Sequence, residues 1–223
     1  MQERVATGSS VLDELLEGGY ERDAVTTIYG PAGAGKTTMA LLAAIETAKR
    51  GKKTIFVDTE GGFSVARLKQ LTTNHKKAFN SIIFLNPTDF EQQHKSIEKL
   101  RKIVNSKIGL IVIDTISMLY RLERSIGEES SHEFNHKLGV EIEALTEIAR
   151  KKRIPVIVAN QVYTSLENNR ISVVGGDIIR YGSKCLIELQ SLHRNKRKAI
   201  LRKHRSIAGE KEAYFEIVEE GFV

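Results

Sequence analysis

The chain has 223 residues, 28% of them charged and 41% hydrophobic, with a formal net charge of +6. That length suits one domain, 1–223, able to bury a sheet between helical layers, and leaves little room for a second. No apolar run approaches bilayer length, the N-terminus lacks a secretory pattern, and the single Cys185 supplies neither a disulfide nor a zinc set. Membrane and disulfide-scaffold classes are excluded, and the expectation is a soluble, intracellular protein with Cys185 in its core. The basic balance suits an anionic partner such as nucleic acid, but ordinary proteins share it.

In chain order, short β-branched runs occur at residues 25–29, 54–58, 82–85, 108–114 and 155–161, each apolar over most of its length, the mark of strands covered on both faces. Helix-period segments alternate with them at 36–50, 64–73, 89–105 and 128–153. Thr88 followed by Glu91 makes a capping box for the third. In the fourth, Phe134, Leu138, Ile142, Leu145 and Ile148 recur at three- and four-residue spacing, predicting one buried stripe. This alternation predicts an α/β fold with a mainly parallel, doubly wound sheet. After Gly182 the pattern changes. Segments 186–192 and 199–203 flank the polar turn 193–197, and 213–218 follows, which reads as an antiparallel C-terminal extension.

Between the first strand and the first long helix lie Gly30, Pro31, Ala32, Gly33, Ala34, Gly35, Lys36, Thr37 and Thr38, which match the P-loop pattern in the context that motif requires. Glycines let backbone N–H groups turn toward phosphates, the helix N-terminus adds its positive end, Lys36 reaches β and γ oxygens, and the Thr37 hydroxyl serves Mg²⁺. The run 110–114 ends in Asp114, either a core strand that happens to close on an acid or, beside a P-loop, the second Mg²⁺ element. Glu60 follows the second strand at a carboxyl end of the sheet, where ligands of open α/β folds bind. Such a carboxylate can orient and partly deprotonate water, although capping the next helix is the competing use.

Taken together, Thr7-Gly8, Leu12-Asp13, Leu15-Leu16, Gly18-Gly19, the P-loop, Asp58-Thr59-Glu60-Gly61, the run 110–114, Ala159-Asn160-Gln161-Val162 and Gly175-Gly176-Asp177 resemble the ATPase core of the RecA/RadA recombinase superfamily over nearly the whole chain. The resemblance implies a RecA-like P-loop fold binding ATP and Mg²⁺, with Glu60 activating water and Gln161 sensing the γ-phosphate. It implies adenine stacking for Arg67, for which a solvated helix charge is the alternative. The stretch 200–206 is similar to a strand of KaiC-type relatives whose Lys-x-Arg pair reaches the neighbouring subunit's ATP. Lys203 and Arg205 would be that pair in a homo-oligomer, against the plainer reading of a basic edge strand.

Seven cations, Arg194, Lys196, Arg197, Lys198, Arg202, Lys203 and Arg205, fall between His193 and Arg205. They suit sequence-tolerant contact with DNA phosphates, or merely a solvated surface. The family's two DNA loops would lie at 120–131, with Arg121 and Arg124 among the acids Glu123, Glu128 and Glu129, and at 163–175, where Arg170 is the lone cation. The second has no aromatic after Tyr163. The chain starts at the core, so the helical N-terminal domain of full recombinases and its linker are expected to be absent. Glu21-Arg22-Asp23 replaces a turn that usually carries Gly, and Thr38 stands where recombinases often have Gln. The implied role is an ATP-binding, DNA-binding accessory of recombination and repair with slow hydrolysis and no strand exchange of its own. Implied partners are single-stranded or branched DNA, RadA recombinase and a Holliday-junction resolvase, and the implied setting is the cytoplasm, at the nucleoid. The alternative is a KaiC-like regulatory ring ATPase acting without DNA.

Overall fold

In the computed structural model, residues 3–126, 131–164 and 171–223 are described. The order is β1 (Arg4–Val5), α1 (Ser10–Leu15), β2 (Tyr20–Glu21), β3 (Val25–Tyr29), α2 (Lys36–Lys49), β4 (Lys53–Asp58), α3 (Val65–Leu71), α4 (His75–Asn80), β5 (Ile82–Leu85), α5 (Phe90–Ile103) and β6 (Ile108–Asp114). There follow α6 (Met118–Ile126), α7 (Ser131–Lys152), β7 (Val156–Asn160), β8 (Val162–Thr164), β9 (Ile171–Val173), α8 (Gly176–Gly182), β10 (Cys185–Ser191), β11 (Lys196–His204), β12 (Lys211–Val218) and β13 (Gly221–Phe222). Nine strands form one sheet in the order β13-β12-β11-β10-β3-β7-β6-β4-β5. From β10 to β5 all neighbours are parallel, and β10 to β13 pair antiparallel, as expected of the C-terminal extension.

The all-apolar strands follow from two cores. Ile111, Ile113, Val156 and Val158 face the layer that holds α5, α7 and α8, while Leu110, Val112, Ile157 and Phe56 face the layer that holds α2. Adjacent side chains of a strand point to opposite faces, so every position of such a strand is apolar. The α7 stripe of Phe134, Leu138, Ile142, Leu145 and Ile148 lies in the first core, and Cys185 lies in the second, where burial pushes its thiol up to about 12.

Several boundaries differ from the sequence expectation. Asp89, not Thr88, caps α5: its carboxylate accepts from the Gln92 N–H at 2.7 Å, and the Gln92 side chain reaches back to Thr88 Oγ1 at 3.0 Å. The N-cap is shifted by one residue because Asp caps a helix better than Thr. Segment 64–73 yields only α3, capped by the Ser64 hydroxyl, and a separate α4 follows. Much of the stretch expected as the first DNA loop is instead α6, held because Tyr120 is buried edge-on against Phe90 and Phe134. The described α7 starts at Ser131, and the remainder of the expected start, 128–130, lies outside the described residues. The polar turn also shrinks, since β11 already begins at Lys196. Among the described residues, no helix is long and apolar enough to cross a membrane.

Candidate nucleotide site

Strand order determines which loops meet. β7 lies between β3 and β6, and β4 flanks β6 on the other side with Asp58 opposite Asp114. The chain ends that leave β3, β7, β6 and β4 therefore converge on one rim, carrying the P-loop, Gln161, Asp114 and Glu60. They line a cavity of about 540 Å³ with Lys36, Thr37, Thr38, Thr115, Arg121 and Ile217.

The P-loop conformation is set by its neighbours as well as by its glycines. Gly33 and Gly35 adopt φ of 71° and 107°, the left-handed region that a Cβ disfavours. At Gly30 the constraint is space: a Cβ there would stand 2.4 Å from the Leu189 carbonyl oxygen of β10. Lys36 is buried and donates to the Gly30 and Pro31 carbonyls at 2.9 and 2.8 Å, which uses two of its three N–H groups. Burial lowers its pKa, while Asp114 and Glu60 act to raise it.

Thr37 Oγ1 donates to Asp114 Oδ2 at 2.7 Å. Asp114 is 4% exposed, and burial pushes its carboxyl up to about 6 despite that hydrogen bond, with Glu60 and Asp58 adding to the rise. A carboxylate held this way gains much from a cation, and the adjacent hydroxyl gives the donor set of a hard metal, so Thr37 and Asp114 fit Mg²⁺.

Glu60 is exposed at the rim but fixed on three sides. Its Oε1 accepts from Thr115 Oγ1 at 2.9 Å and from Gln161 Nε2 at 2.6 Å. Gln161 Oε1 in turn accepts from Arg121 Nη1 at 2.7 Å, joining the acid to α6. From below, the buried Asp58 carboxylate accepts the backbone N–H of Glu60, Gly62 and Phe63 at 3.3, 3.0 and 3.1 Å, closing the loop that presents Glu60. Thr59 Oγ1 accepts from the Thr115 N–H at 2.9 Å and donates to the Thr115 carbonyl at 2.7 Å, locking the β4 and β6 ends together. From sequence Asp58 enters only as part of a motif and Thr115 not at all, although an acid shortly before a Gly-Gly pair is a signal for such a loop.

The other expected residues fall elsewhere. Arg67 donates to the carbonyls of Val218 and Glu219 at 2.9 and 3.0 Å and to Gln70 at 3.0 Å, tying α3 to the end of β12 beside the P-loop. Lys203 and Arg205 end β11 on the opposite rim, since β11 runs antiparallel to β10 with His204 opposite Cys185. There Lys203 Nζ donates to the carbonyls of Arg180 and Ser183, and Arg205 pairs with Glu21 at 2.7 Å and with Asp23. In the hairpin, Arg197 reaches the Gly33 carbonyl at 3.3 Å, Lys198 pairs with Glu212 at 2.5 Å beneath the Tyr214 ring, and Arg202 bridges Glu188 and Glu210. Arg194 and Lys196 are exposed, and Arg170 lies outside the described residues.

The chain is similar to known proteins over nearly its whole length. A family model described as Rad51 matches residues 2–223. "DNA repair and recombination protein RadB" of Methanobrevibacter smithii is 37% identical over 99% of this chain and 95% of its own, and its namesake in Methanococcoides burtonii is 39% identical over 92% and 91%. A solved structure described as "Crystal structure of the RadB recombinase" superposes with a TM-score of 0.83 at 36% identity, covering 98% of both chains.

Proposed function

The chain belongs to the Rad51 family, and from that premise we propose that it is an ATP-binding, DNA-binding accessory protein of homologous recombination and repair, with slow Mg²⁺-dependent ATP hydrolysis and no strand exchange of its own. The observation that carries the catalytic part is the junction of Glu60, Thr115 and Gln161 on the same rim as the Thr37–Asp114 pair.

The P-loop amides and the α2 N-terminus receive the phosphates, and Lys36 turns its remaining N–H toward the β and γ oxygens. Thr37 and Asp114 would hold Mg²⁺. Bound there, Mg²⁺ would supply positive charge to offset that of the phosphates. With Oε1 of Glu60 occupied by Thr115 and Gln161, Oε2 is the oxygen that orients water and accepts its proton. Gln161 connects the state of the γ-phosphate to α6 through Arg121. Arg67 carries its planar group beside the P-loop, where it stacks on adenine.

The DNA part is supported by the exposed hairpin cations Arg194 and Lys196, with Arg197, Lys198 and Arg170 as further contacts, and by the recombination and repair names of the relatives. RadA recombinase and a Holliday-junction resolvase are the proposed protein partners, at the nucleoid. The acids Glu123, Glu128 and Glu129 in the first expected DNA loop support modulation of strand exchange rather than its execution. A second reading, a KaiC-like ring ATPase without DNA, rests on Lys203 and Arg205. They stand on the rim opposite their own P-loop, so any phosphates they serve belong to a neighbouring copy.

One experiment separates the readings: titration of linear and branched DNA at several salt concentrations, with and without ATP. Salt-sensitive binding near physiological ionic strength is expected, with little stimulation of hydrolysis. No binding there refutes the DNA reading in favour of the ring, and strong DNA-stimulated hydrolysis refutes the accessory role.

A further inference from the structure

The amino-terminal rim of the sheet, opposite the nucleotide, carries a groove of about 630 Å³. Six cations line it, Arg22, Arg50, Lys52, Lys151, Lys152 and Arg153, and none of its described lining residues is acidic. They come from four places: the turn after β2, the end of α2, the start of β4 and the end of α7.

Helix C-termini favour cations, which accounts for Arg50, Lys151 and Lys152 individually. Arg22 and Lys52 have no such reason to be there. Arg22 pairs with Glu3 at 3.0 Å and Lys151 with Glu147, whereas Arg50, Lys52, Lys152 and Arg153 form no ion pair among the described residues. Among the described residues, the Lys52 side chain donates to the Ser106 carbonyl and the Arg50 side chain to Thr47 Oγ1. Arg50 is exposed, yet desolvation of its guanidinium and the like charge of Arg22 depress its pKa, against the pull of Glu46. Like charges held together over a concavity are a configuration that an anion relieves.

The hairpin differs in kind. Of its seven cations, Lys198, Arg202 and Arg205 are already paired with carboxylates, and Arg197 and Lys203 are spent on backbone carbonyls. A cation paired with an internal acid releases few counterions on meeting DNA, so the hairpin's charge overstates its contribution.

We propose that this rim groove binds the phosphodiester backbone of DNA, a surface on the face away from the nucleotide. The proposal rests on the DNA reading above. It gives the bound DNA and the nucleotide separate faces of one sheet, so DNA binding through the groove does not require nucleotide.

The test is fluorescence-anisotropy titration of a duplex without nucleotide, from low to physiological salt, on wild type, Arg50→Gln/Lys152→Gln, and Lys69→Gln/Lys77→Gln as a control of equal charge change on exposed positions of α3 and α4. The groove pair should bind about tenfold or more weakly near physiological salt, and its log–log salt slope should flatten by about 1.8, at about 0.9 for each phosphate no longer neutralised. The control should follow wild type. Should the first pair lower the melting temperature, Lys52→Gln/Lys152→Gln repeats the measurement with α2 untouched. A groove variant matching wild type in affinity and slope overturns the groove alone, as does an equal loss in the control, because net charge would then suffice. Absence of wild-type binding at low salt overturns the DNA reading together with the groove.

Discussion

Replacing Asp58 by Asn tests whether the loop presenting Glu60 is held by one buried carboxylate. Oδ1 accepts from Glu60 and Gly62, and Oδ2 accepts from Phe63 at 3.1 Å. An amide keeps one oxygen, but it points its NH₂ at the Phe63 N–H or, turned over, at those of Glu60 and Gly62. Hydrogen bonds to a charged group contribute about 1.5–3 kcal/mol each, so about 2–3 kcal/mol is expected from this one position. For a chain of this size that lowers the unfolding midpoint by about 5–10 °C. Displacing Glu60 by about 1 Å should slow hydrolysis by about 100-fold. ATP affinity should stay within about threefold, because no hydrogen bond joins Asp58 to the P-loop. Urea unfolding, single-turnover hydrolysis and equilibrium nucleotide binding read the three quantities separately. A stability loss below about 0.5 kcal/mol, or a loss of ATP affinity as large as that of hydrolysis, would refute the reasoning.

Other perturbations have equally specific outcomes. Lys36→Ala should weaken ATP binding at least about 100-fold by calorimetry, the equivalent of about 3 kcal/mol, and Glu60→Gln should bind ATP normally while hydrolysing it more slowly; normal turnover in Glu60→Gln would remove the acid from the mechanism. Gly182→Ala places a Cβ 2.1 Å from Ile142 Cγ2 in the first core and should cost about 1–3 kcal/mol. Ile142→Ala removes that atom, so the double variant should be more stable than the sum of the two losses, as a urea double-mutant cycle reads. The Glu141 carboxylate, buried and 3.7 Å from His94 Nδ1, raises the imidazole pKa, with Glu98 and Glu91 adding to it. A raised folded pKa stabilises fully below the unfolded value of about 6.5 and is lost as pH rises through the folded pKa. His94→Ala should therefore destabilise by about 1–2 kcal/mol at pH 5.5 and by much less at pH 9, and a pH-independent difference would exclude the pair as its source.

The mainly parallel sheet, the P-loop and the antiparallel extension could be read from the chain because each is a local pattern. Apolar strands, a helix-period stripe and glycines at fixed offsets carry their own physical signature. Boundaries were less secure where two neighbours compete for one task, as Thr88 and Asp89 do at the α5 cap. α6 was hidden because its stability comes from Tyr120 meeting Phe90 and Phe134, residues 30 and 14 positions away in the chain.

By itself, the sequence determined that a triphosphate loop precedes α2, that Asp114 ends one strand and Glu60 follows another, and that cations crowd near the C-terminus. Tertiary structure alone decided what these residues face. Strand order brought Gln161 between the P-loop and Asp114 and joined it to Glu60, a pairing across 101 residues that no spacing encodes. The same folding set three of the seven hairpin cations against carboxylates and gathered Arg22, Arg50, Lys52 and Lys152, scattered along the chain, around one groove. Charge is a property of composition, but its availability depends on which partner the fold brings within reach.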